Sequence, residues 1–164
     1  MQSPRFAAPL LFVLAIQILI SCSSPAANQN ANTTTGNASS SVSKVVPKDN
    51  AEEFAMLVTL PFEAEEVAWN ENAESKSLIA VVRFSPEDTA KLSTELAKTR
   101  AGTPETLSVE AWYPAELIAQ AELSGESSLK GKTYPAQTFL NPPYTKGKIT
   151  QIDNTDYFVL QISA

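Results

Sequence analysis

Leu78-Ile79-Ala80-Val81-Val82 is apolar at five consecutive positions, odd and even alike. Successive side chains of a strand point to opposite faces, so such a run needs cover on both sides and belongs inside a sheet. Residues 77–84 are therefore expected to form a central strand. Elsewhere the pattern alternates. Met56, Val58 and Leu60 take turns with Leu57 and Thr59, which reads as a half-buried strand over 54–60, closed by Pro61. Residues 66–70 make a second short strand, separated from the central one by the polar stretch 71–76. Leu107, Val109, Ala111 and Tyr113 alternate with Ser108, Glu110 and Trp112, so a strand here sends the apolar set one way and Glu110 with Trp112 the other. Residues 148–152 and 157–162, joined by Asp153-Asn154-Thr155-Asp156, have the form of a terminal hairpin.

Two segments carry helical signals. Ser85 is a capping residue, Pro86 falls at the first helical position where no amide is missed, and Glu87 and Asp88 sit at the positive end of the dipole. That helix should run over about 86–100, with Leu92 and Leu96 inward and Gly102 as its terminator. A shorter helix over about 115–123 places Leu117, Ile118 and Ala121 on one side. Residues 125–131 read as loop and 133–140 as an extended segment of uncertain kind. Asn141-Pro142-Pro143-Tyr144 can continue neither a helix nor a central strand. The order of elements predicts an α+β fold with a mainly antiparallel sheet of about five to seven short strands.

The first 43 residues are of a different kind. Arg5 precedes residues 6–20, which are apolar except for Gln17, a length that suits a signal-peptide core and falls short of the roughly twenty residues of a permanent bilayer span. Cys22, the one cysteine of the 164 residues, follows at once in Leu19-Ile20-Ser21-Cys22. This stretch resembles the lipobox of bacterial lipoproteins. The resemblance implies that residues 1–21 are a signal peptide, that Cys22 is lipidated and becomes the first residue, and that the serine after it favours the outer membrane where a cell has two. Two or three acyl chains hold a protein on a bilayer far more firmly than one. Residues 23–43 contain no charged or aromatic side chain and cannot bury enough apolar surface to offset their ordering entropy. They are expected to be a disordered tether, about 25 Å long on average, ahead of one globular domain over 44–164.

Charge and composition narrow the chemistry. The chain carries 18 acidic and 12 basic residues and no histidine; without Arg5 the mature net charge is −7. Such a domain is a poor nucleic-acid binder, since affinity for phosphate backbones comes from lysine and arginine releasing counterions. With no histidine and a single acylated cysteine, histidine triads, thiol nucleophiles and His/Cys zinc sites are excluded. The isolated glycines form no phosphate loop, Asp153-Asn154-Thr155-Asp156 is better read as a turn than as a calcium loop, and no cofactor or metal is expected. Carboxylates remain, with Glu63, Glu65, Glu66 and Glu110 as candidates for acid–base work on an envelope carbohydrate. The favoured expectation is binding rather than catalysis. Trp112, Glu110 and Tyr144 are the candidate contact residues, because aromatic surface near proline-rich loops suits a protein or cell-wall partner. A purely structural spacer is the third reading.

Overall fold

The computed structural model describes residues 46–164. Cys22, the signal segment and the tether lie outside the described residues. The elements are α1 (Ala51–Leu57), β1 (Glu66–Asn72), β2 (Ser77–Arg83), α2 (Pro86–Thr99), β3 (Thr103–Ser108), α3 (Ala115–Leu123), β4 (Ser128–Pro135), a single 3-10 turn (Gln137–Phe139), β5 (Lys146–Ile152) and β6 (Tyr157–Ser163). All six strands join one antiparallel sheet in the order β1-β2-β6-β5-β4-β3. The fold is α+β, and the strand count lies within the expected range.

β2 is the covered central strand that its composition demands. It pairs with β1 on one side and β6 on the other. Leu78, Ala80 and Val82 enter one core with Phe54, Leu92, Leu96 and Phe158 under α1 and α2. Val81 enters a second core on the opposite face with Leu117 and Ala121 of α3 and with Leu107, Ile152 and Val159. α2 starts as its sequence dictates: the Ser85 side chain accepts from the Asp88 amide, Pro86 opens the helix, and Leu92 and Leu96 are buried. Each leucine contributes on the order of 1.5–3 kcal/mol through burial.

Four local expectations are corrected. Residues 54–60 are not a strand, because the chain from Ala51 to Leu57 is helical. Asn50 caps it by accepting from the Glu53 amide, Glu52 and Glu53 fill the first turn, and Phe54, Leu57 and Val58 form an i, i+3, i+4 stripe on the core. The alternation counted Met56 as inward, yet Met56 is 71% exposed.

β3 runs over 103–108 rather than 107–113. Pro104 is tolerated because β3 is an edge strand. Past Ser108 the Tyr113 amide bonds back to the Glu110 carbonyl, and this turn, not a pleat, returns Tyr113 to the core.

Gly102 does not end α2 in a left-handed cap. The helix closes at Thr99 with Arg100 extended, and Gly102 instead gives room to the ring of Tyr134, whose Cζ would lie 2.7 Å from an added Cβ.

The expected loop over 125–131 is shorter than its composition suggests, since β4 already begins at Ser128. Gly131 within it faces β5 so closely that a Cβ would lie 2.2 Å from the Gln151 carbonyl oxygen. Gly131→Ala must push the two strands apart and is expected to cost about 1–3 kcal/mol, read as a lowered urea midpoint. A midpoint unchanged from that of the unsubstituted chain would show that the β4–β5 pairing yields without cost.

Candidate functional site

Glu110 and Trp112 sit on the connection between β3 and α3, and this connection forms one wall of a cleft of about 470 Å³. α3 supplies the opposite wall. Its sequence packs Leu117 and Ala121 onto the sheet, which turns Ile118 and Glu122, four residues apart, along the flank of the helix. Val109, Ile118 and Ala121 make an apolar floor, and Glu110, Glu122 and Glu126 stand around it. Glu126 is partly engaged, with Lys130 Nζ at 3.4 Å and the Ser128 hydroxyl donating to it at 3.3 Å. Glu110 and Glu122 form no ion pair among the described residues. The Glu110 charge is felt nearby: the Tyr113 hydroxyl is pushed up to about 12, by burial first and by Glu110 second.

Trp112 is half-buried. Its ring meets Tyr113 edge-on at 4.8 Å between centroids and packs on the α3 side of the sheet, leaving part of its surface open beside the cleft without lining it. Leu123, the last residue of α3, is 89% exposed. Tyr144 does not join these residues. It is 4% exposed, belongs to the core on the opposite face of the sheet, and donates its hydroxyl proton to Glu71 Oε1 at 2.9 Å. Its place beside two prolines suggested an outward loop aromatic, but the turn folds its ring inward against β1 and β5.

The carboxylate candidates separate as well. Glu110 lies in the cleft, whereas Glu66 belongs to a cluster that sequence reasoning missed. Glu66, Arg83 and Tyr157 are cross-strand neighbours on β1, β2 and β6. The Tyr157 hydroxyl lies 2.9 Å from Glu66 Oε2 and 2.9 Å from Glu116 Oε2, the latter in the first turn of α3. Arg83 stands 3.6 to 3.9 Å from Glu65, Glu66 and Glu116, and its guanidinium lies 5.8 Å from the Tyr157 ring centroid. A hydroxyl has one proton to give, so the two carboxylates compete for it and the Arg83 charge offsets their repulsion. α3 opens at Pro114 without a side-chain cap, and the Tyr157–Glu116 bond pins that end to the sheet instead. Strand register and the packing of α3 bring these residues together; nothing in their sequence spacing announces it. Among the described residues no three acidic, histidine or cysteine side chains gather closely enough to hold a metal ion.

A scan against models of protein families, a search of curated proteins and a search of solved structures return no match to this chain. The functional reading therefore rests on the geometry of the site and on the N-terminal motif. No helix among the described residues is long and apolar enough to cross a membrane.

Proposed function

We propose that this chain is an exported lipoprotein, anchored through acyl chains on Cys22, whose domain recruits a protein or cell-wall partner at the membrane surface through the Glu110 cleft and Trp112. The observation that carries the reading is the cleft itself: an apolar floor ringed by carboxylates, two of them without a counter-ion among the described residues. That surface suits a partner segment that brings basic groups around a small apolar side chain. The partly exposed Trp112 supplies rigid contact area at the margin, as aromatic anchors do in interfaces. Placement in the cell envelope, at the outer membrane where there are two, follows from the lipobox resemblance.

Two measurements test the two halves of this reading. Mass spectrometry of the mature chain should find a diacylated or triacylated Cys22 as the first residue; an unmodified chain, or one starting elsewhere, removes the anchor. Crosslinking in intact cells should capture a discrete partner, and Glu110→Lys and Trp112→Ala should each lower its yield about tenfold, near 1.4 kcal/mol. Both positions lie outside the fully buried core, so the folded signal should persist. An unchanged yield from folded variants would place the contact elsewhere.

A further inference from the structure

A second cleft, of about 330 Å³, lies between the end of α2, the start of β3, the end of β4 and the start of β5. The geometry points to this cleft as a binding site for an oxyanion, the carboxylate or phosphate group of a small molecule or a polymer end. Its chemistry is the reverse of the Glu110 cleft. Among its lining residues Arg100, Thr103, Thr133, Gln137 and Lys148 carry side-chain N–H or O–H groups, while Tyr134 turns its ring into the core beside Gly102. No carboxylate lines it, although acidic residues outnumber basic ones 18 to 12 in the chain.

Lys148 excepted, these donors are also unspent among the described residues. Arg100 closes α2 through its backbone amide on the Leu96 carbonyl, and its guanidinium has no partner among the described residues. A planar fork of donors with no counter-ion is the group that binds carboxylate and phosphate in bidentate fashion. Thr133 accepts a hydrogen bond from the Thr150 hydroxyl at 3.1 Å, which leaves its own proton to be given. Lys148 is held by Glu105 of β3, so an incoming anion competes with that carboxylate. Of the two cations in the lining, Arg100 has no ion pair among the described residues and Lys148 is tempered by Glu105. The inference is independent of the Glu110 reading, since no lining residue is shared.

The test is amide NMR on the full chain in detergent, titrated separately with sodium phosphate and sodium galacturonate, with sodium chloride balancing ionic strength. Saturable shifts at Thr103, Thr133 and Gly147 with a roughly millimolar midpoint are expected from at least one probe, and the stronger of the two tells phosphate from carboxylate. Arg100→Gln should weaken that binding at least about fivefold. Glu105→Gln, which releases Lys148, should tighten it about threefold. Shifts no larger than the chloride control for both probes, or a folded Arg100→Gln chain that binds as the wild type does, would overturn the assignment.

Discussion

Trp69→Ala is expected to lower the stability of the domain by about 3–5 kcal/mol, the largest loss from any single truncation considered. The Trp69 ring is fully buried beneath α1, 6.0 Å from Phe54 between centroids, and the Lys48 ammonium lies 4.3 Å from its own centroid. Its backbone exchanges two hydrogen bonds with Lys48, at 2.8 and 2.9 Å, so this residue ties the entering chain to the edge of the sheet. Removing the ring leaves a cavity between α1 and β1 that neither rigid element can close. The indole Nε1 finds no hydrogen-bond partner among the described residues. Trp69→Phe removes that orphaned donor while keeping an aromatic ring, so it should cost clearly less than the alanine change. Urea unfolding followed by circular dichroism reads both. A Trp69→Ala domain within about 1 kcal/mol of wild type would mean that α1 is not part of the cooperative unit.

Raising the pH past about 10 should unfold the domain, because its buried tyrosines hold their protons more tightly than the unfolded chain does. The Tyr144 hydroxyl is pushed up to about 12, by burial first and then by its bond to Glu71. Tyr113 is also pushed up to about 12, and Tyr157 is raised as well, by burial and then by its bonds to Glu116 and Glu66. In the unfolded chain these phenols ionise near 10. Stability from keeping them neutral is therefore whole below about pH 10 and is lost as the pH climbs through the folded values, by about 3 kcal/mol each for Tyr113 and Tyr144. The tyrosinate absorbance of these residues should appear together with loss of structure rather than before it. Tyr113, Tyr144 and Tyr157 ionising near 10 in a domain that stays folded would show that their burial carries no such linkage.

Much of the architecture was legible because certain segments carry local and non-local signals that agree. The five-residue apolar run of β2, the Ser85-Pro86-Glu87-Asp88 start of α2 and the Asp153–Asp156 turn each point to one element only, and each is found there. Asn154 even takes the positive φ of 60° that an Asx residue accepts in a turn. Residues 54–60 misled because seven residues of alternating character fit a pleat and a short amphipathic helix about equally well. The Asn50 cap, lying outside that window, decides between them. At the site, Glu110 and Trp112 were identified on the premise of a pleat that stops at Ser108, and they prove to be neighbours on a turn. Glu122 and Ile118 were within reach of helical spacing, but the wall they face was not.

The chain's own order of residues determined which class of fold it adopts, which strand lies at the centre, where α2 begins, and that it offers no histidine for catalysis. These are local or compositional properties, set by pleat, cap and residue type. Tertiary structure alone decided that Tyr144 is core while Glu110 borders a cleft, that Glu66, Arg83, Tyr157 and Glu116 meet, and that residues from the ends of α2, β3, β4 and β5 line one cleft. Each of those depends on strand register and on which face a helix covers. Both are settled by packing between residues up to 91 positions apart, as between Glu66 and Tyr157, a distance over which no periodicity along the chain carries information.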